Sequence, residues 1–142
     1  MAVRDGKQVY GLWLKAWNDD ISIIDELAAP ECTVHQARFD RKDSKAQKGG
    51  EALKEIIISG HAFFDNGKTS VEIGPIEENG YVSARWKFTG TYNGKIPGAQ
   101  AEAGEVISFH GMDIFFLEEG KIKDYWVCSD GVHLMQQLNM LS

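Results

Sequence analysis

The residues best placed to move a proton are Asp124 and His110, in the stretch from Gly104 to Asp130. That stretch reads as two long strands joined at Glu118-Glu119-Gly120. Its first strand, Val106 to Leu117, is apolar at nearly every position except Ser108, His110 and Asp113, so both of its faces should be covered. The second alternates, with Ile122, Asp124, Trp126 and Cys128 on one face and Lys123, Tyr125, Val127 and Ser129 on the other. An acid flanked by Ile122 and Trp126 then lies on a face that ought to be buried. An ionised carboxylate there needs a partner or a raised pKa, and either suits an acid/base role in an apolar cavity. A hairpin centred on Glu119 puts His110 near Cys128 and Asp124 near Ile114. If no bulge intervenes, the two are roughly 13 Å apart at ~3.3 Å per residue. They would touch one bulky substrate without forming a direct dyad.

The remaining candidates are weaker. Asp113 falls on the opposite parity from the Asp124 face and reads as structural. His35 and His61 flank apolar stretches at a pocket rim, and His133 reads as a surface residue. An apolar ligand would be lined by Trp13, Trp17 and Phe64 from helices and by Trp86, Phe88, Met112, Trp126 and Cys128 from strands. There is no glycine-rich phosphate loop, no G-x-S-x-G elbow and no helical histidine pair. Acid/base chemistry by histidine and carboxylate, or plain binding, is what remains.

These residues need elements to hold them, and the chain supplies helices first and strands second. Residues 3 to 18 carry an apolar stripe of Val9, Leu12, Trp13, Ala16 and Trp17. Asn18-Asp19-Asp20 stops that helix and caps a short one over 21 to 28, before Pro30. A short strand follows over 31 to 36, then a polar loop over 37 to 50. A third helix carries Leu53, Ile56, Ile57, Gly60 and Phe64 in register. From Lys68 the period falls to 2. Val82, Ala84, Trp86 and Phe88 point inward, Asn79-Gly80 marks a hairpin turn, and a short helix from Gly131 ends the chain. The order predicts an α+β fold, with helices on one face of a bent antiparallel sheet.

The bulk numbers fit one domain spanning residues 1–142, with a sizeable core. A net charge of −6 argues against nucleic-acid binding, and the basic residues from Arg38 to Lys48 are interleaved with Asp40 and Asp43. No apolar run is long enough for a membrane span, and the N-terminus lacks a signal-peptide core. Cys32 and Cys128 show no framework or metal spacing and read as reduced thiols of a cytoplasmic protein. Tyr125 and Val127, on the face opposite Asp124, would need covering by a second copy.

Five motifs carry a family resemblance. They are W-x-x-x-W-N from Trp13 to Asn18, G-x-D-x-F from Gly111 to Phe115, G-K-I-x-D-x-W from Gly120 to Trp126, Asp130, and L-M-x-Q-L from Leu134 to Leu138. In order and spacing they resemble the SnoaL-like polyketide cyclases over nearly the whole chain. The resemblance implies the cone-shaped fold of the nuclear transport factor two-like superfamily, with three N-terminal helices enclosing an apolar pocket, and a homodimer or tetramer joined through the sheet. It also implies cofactor-free aldol-type closure of a polyketide-like carbonyl compound, with an aspartate on the last strand as acid/base and a histidine on the preceding strand assisting. Asp124 and His110 match those positions. The chain departs from the family in carrying Asp124 where Glu is common, Phe116 where Arg is common, and Thr91-Tyr92 where Thr-His is common. The fold also hosts isomerases, dehydratases, hydrolases and non-catalytic carriers of small apolar molecules.

Overall fold

The computed structural model describes residues 3–37 and 41–141, so residues 38–40 of the expected polar loop lie outside it. Helix α1 (Gly6–Asn18) opens on a reciprocal cap. The Asp5 carboxylate accepts from the Gln8 backbone N–H, and the Gln8 side-chain oxygen accepts from the Asp5 backbone N–H. Its stripe of Val9, Tyr10, Trp13 and Ala16 is buried against the sheet. The helix starts hard against the strands, where a Cβ on Gly6 would collide with Val82 and Glu77.

The second helix is shorter than expected. A 3-10 turn (Ile21–Ile23) leads into the single turn of α2 (Ile24–Leu27), and β1 (Ala28–His35) begins at once. Pro30 is tolerated within β1 because that strand is at the edge of the sheet, with β5 as its neighbouring strand. Helix α3 (Gly50–His61) ends before Phe64, which instead opens β2 (Phe64–Glu78). There the Phe64 ring packs 5.5 Å from Phe88 and 6.2 Å from Tyr92. The pull of that strand core overrides the helical spacing.

Strands β3 (Tyr81–Tyr92), β4 (Val106–Glu118) and β5 (Lys121–Ser129) complete a sheet of order β1-β5-β4-β3-β2, and α4 (Gly131–Gln137) follows. All pairs are antiparallel except β1 with β5, which run parallel. The β2–β3 and β4–β5 turns are Asn79-Gly80 and Glu119-Gly120, all four residues at positive φ, the geometry of a tight hairpin. Val82, Ala84 and Phe88 of β3 are buried on the inner face, as their alternation predicts.

The interior divides into two apolar clusters. One gathers α1, α2 and α3 over β1, β4 and β5, around Trp13, Leu53, Phe115 and Tyr125. The other, at the far end of the sheet, gathers Phe64, Phe88, Tyr92, Ile107 and Leu138, with Trp17, Trp86, Phe109 and Leu134 half-buried around them. The segment 93–105 joins this end through the Gln100 and Ala101 N–H groups, both donating to the Leu138 carbonyl.

Asn18 fastens α1 to β2, the other edge strand. Its Nδ2 donates to the Thr69 carbonyl and its Oδ1 accepts from the Thr69 N–H, both at 2.9 Å. Asn18→Ala orphans both backbone groups and should cost about 1–3 kcal/mol. A lower urea midpoint at unchanged m-value is the expected result.

Candidate active site

The geometry of the site turns on one extra residue in β5. Phe116 pairs with Asp124 but Leu117 pairs with Ile122, so Lys123 is a bulge and the strand's parity reverses there. Ile122 and Tyr125, three positions apart, are both buried, and Val127 continues their face half-buried. Asp124, Trp126 and Cys128 therefore lie on the outer face, with Met112 of β4, and not in the interior as the alternation predicted. His110, on an even position of β4, is also outward. It lies beside the Gly111–Ser129 pair while Asp124 lies opposite Phe116. The two are about six residues apart along the strands, roughly 20 Å at ~3.3 Å per residue, and do not meet.

Each has its own partner on the outer face. His35 Nε2 lies 3.0 Å from Asp124 Oδ1, and its ring stacks on Trp126 at 4.9 Å with only 9° between planes. The parallel pairing of β1 with β5 sets Thr33 beside Asp124 and His35 beside Trp126. His110 Nε2 lies 3.1 Å from Glu72 Oε1, a carboxylate shared with Arg85.

The buried acid is Asp113. It is only 2% exposed, on the inner face of β4 beside Phe115. The Tyr10 hydroxyl of α1 donates to Oδ1 at 2.9 Å, and the Tyr125 hydroxyl of β5 donates to Oδ2 at 3.0 Å. Burial pushes the carboxyl up to about 7, against the two tyrosine hydrogen bonds, which hold it down. Both phenols are raised in turn, first by burial and then by the charge of Asp113. Around them Trp13 lies 5.0 Å from Tyr125, and Phe115 packs at 4.9 Å from Tyr125 and 5.5 Å from Tyr10. Where the resemblance implies helices enclosing an apolar pocket, these rings pack about the buried carboxyl. Cys32, also buried here, has its thiol pushed up to about 12 by burial.

Of the other predicted lining residues, Trp13 belongs to the first cluster, while Trp17, Phe64, Trp86 and Phe88 belong to the second. His61 joins them, its Nε2 2.8 Å from the Trp17 carbonyl and its ring 5.3 Å from that of Trp17. Trp86 Nε1 is shielded from solvent and has no hydrogen-bond partner. Leaving such a donor unpaired costs about 1–3 kcal/mol. Two open surface hollows, one lined by Lys42, Asp43, Ala46, Gln47 and Glu55 and one by Arg4, Gln8, Gly11, Leu12 and Lys15, include neither Asp113 nor Trp86. Among the described residues no three His, Cys, Asp or Glu side chains come together as metal ligands would. Nor is any helix among them long and apolar enough to cross a membrane.

Asp113 was hidden by the parity of β5, but a signal was present. Lys123-Asp124 places two polar residues in succession between the apolar Ile122 and Tyr125, the mark of a bulge that turns both outward.

The profile of the SnoaL-like polyketide cyclases matches residues 7–138. No curated protein matches the chain. Among solved structures, TsrD from Streptomyces laurentii is 24% identical over 95% of both chains, with a TM-score of 0.77. IdmH from Streptomyces antibioticus, a candidate polyketide cyclase, is 19% identical over 96% of this chain and 99% of its own, at 0.81. AclR from Streptomyces galilaeus, a candidate hydroxylase, is 20% identical over 96% and 85%, at 0.78. At these identities the likeness establishes the fold, the α+β cone of the nuclear transport factor two-like proteins.

A carboxyl raised from 3.8 to about 7 on folding binds its proton more tightly in the native state. Its contribution is complete below about pH 4 and is lost as the pH rises through about 7. Thermal unfolding of the wild type should therefore show Tm falling by several degrees between pH 5 and pH 8, and Asp113→Asn should flatten that slope. Tyr10→Phe, which removes a bond that holds the carboxyl down, should move the inflection to higher pH.

Proposed function

Because the chain belongs to the SnoaL-like polyketide cyclase family, we propose that it performs cofactor-free acid/base chemistry on an apolar, polyketide-like carbonyl compound, with Asp113 in the role first assigned to Asp124. The observation that carries this reading is a carboxyl, 2% exposed, held at both oxygens by tyrosine hydroxyls and raised to about 7. Near neutrality such a group exists in both protonation states and can take or return a proton at little cost. As carboxylate it removes a proton from the carbon α to a carbonyl. The resulting enolate attacks a second carbonyl of the same molecule, forming the ring bond. The alkoxide then recovers the proton from Asp113, so no oxidant, metal or co-substrate enters the balance. Tyr10 and Tyr125 keep the carboxyl oriented through both states. The substrate approaches past the half-buried Trp17, Trp86 and Phe109 that surround the second cluster.

Asp124 and His110 act, on this reading, as outer-face residues, Asp124 in contact with His35 and His110 with Glu72. That face carries exposed apolar side chains on adjacent strands, with Met112 54% and Ile114 41% accessible beside the Trp126–His35 stack. We assign it to a homodimer through the sheet, a larger assembly being built on the same contact. Ile114→Glu should convert the dimer to monomer in sedimentation equilibrium. A wild type already monomeric at micromolar concentration would sink this assignment.

A specific observation favours a second reading, a small-molecule-binding module with an inert interior. Both Asp113 oxygens already accept hydrogen bonds and the group is closed off, so it is satisfied without a substrate. Hydrogen exchange separates the two. Aryl ketones incubated with the protein in heavy water should gain deuterium at the α-carbon, read by mass spectrometry. Asp113→Asn should lose the exchange by a factor on the order of 10² or more, while Asp124→Asn keeps it. Ketones that bind wild type and Asp113→Asn equally, without deuterium uptake, would establish the binding module.

A further inference from the structure

We infer that Trp86 holds the carbonyl oxygen of the ligand, its indole N–H serving as a directed donor of the site. The inference deepens the acid/base reading and rests on it for the direction in which the ligand's α-carbon points.

Trp86 Nε1 is a donor buried without an acceptor, the one such side-chain atom among the described residues. Native proteins seldom leave a buried donor unpaired, so its persistence points to an acceptor that arrives from outside. The indole lies over Gly111 of β4, with the Phe109 ring edge-on at 5.9 Å and the Phe88 ring beyond it, 5.5 Å from Phe109. Neither ring can accept that proton well.

The ring is also held in place. On the inner face Trp86 pairs with Gly111, and a Cβ at Gly111 would lie 2.2 Å from the indole. The missing side chain is what lets the indole lie across β4 there. Ala84 pairs with Asp113, so Trp86 and Asp113 are diagonal inner-face neighbours on adjacent strands, roughly 8 Å apart at ~3.4 Å per residue along the strand and ~4.8 Å across. A ketone that offers its oxygen about 3 Å from Nε1, from the Asp113 side, would turn its α-hydrogens toward the carboxyl. As the α-proton leaves, charge gathers on that oxygen, and a donor already aimed at it strengthens. A single neutral donor beside aromatic rings suits an uncharged acceptor better than a carboxylate.

The test compares α-tetralone with tetralin, its hydrocarbon counterpart, by calorimetric titration of wild type and Trp86→Phe. Wild type should bind the ketone about fivefold to tenfold more tightly than the hydrocarbon, the worth of one neutral hydrogen bond. Trp86→Phe should bind tetralin as the wild type does and show no preference. A second measurement needs no variant. In ¹⁵N-labelled protein one indole N–H resonance should move downfield with α-tetralone and stay in place with tetralin. Equal binding of the two probes by wild type, binding of neither, or a preference that survives in Trp86→Phe would overturn the inference. Should the preference depend on Trp86 while wild type shows no deuterium exchange, the donor stands and the acid/base reading of Asp113 fails. Exchange that persists undiminished in Trp86→Phe with the ketone preference intact reverses that outcome.

Discussion

A carboxyl group carried into the apolar interior is the constraint that the rest of this structure must satisfy. Removing Asp113 from water is costly unless its oxygens find donors, and the two donors come from elements remote in sequence. Tyr10 reaches it from α1 and Tyr125 from β5, so helix and strand have to meet β4 at one point. The capping box at Asp5, the close start at Gly6 and the Asn18 clamp on Thr69 fix the line of α1 that brings Tyr10 there. A polar network of this kind is stringent. Fully satisfied it specifies one packing, and with one member missing it becomes a liability.

The two faces of the sheet divide the chemistry. Inside, rings surround one titratable carboxyl and one unpaired indole donor. Outside, the histidines His35 and His110 are matched with Asp124 and Glu72 among exposed apolar side chains. A histidine and an aspartate at suggestive positions can thus be spoken for by separate neighbours, and proximity in sequence pattern says little about a shared task. What makes Asp113 different is desolvation, which raises the carboxyl to the range where proton transfer in either direction is easy.

Much of this was legible in the residues. The helical stripe of α1, the inward set Val82, Ala84 and Phe88 of β3, and both hairpin turns follow from period and turn chemistry, because those signals are local. The motif order from Trp13 to Leu138 carried the family for the same reason, since spacing along the chain survives in the sequence itself. Phe64 was misplaced where two periods overlap, its strand contacts with Phe88 and Tyr92 outweighing the helical spacing. The fault at Asp113 and Asp124 has one origin. Strand alternation has period 2, so a single inserted residue exchanges the faces of everything beyond it.

The sequence alone determined that helices precede a run of strands, that β3 alternates, and that a carboxylate would lie among apolar groups. Those properties depend on neighbours within a few residues. Only the tertiary structure decided which carboxylate that is. The bulge at Lys123 is set by how β5 must lie against β4 and β1 at once, with Ile122 and Tyr125 both claimed by the core. Packing of the whole sheet, not the pattern of one strand, turned Asp124 outward and left Asp113 inside.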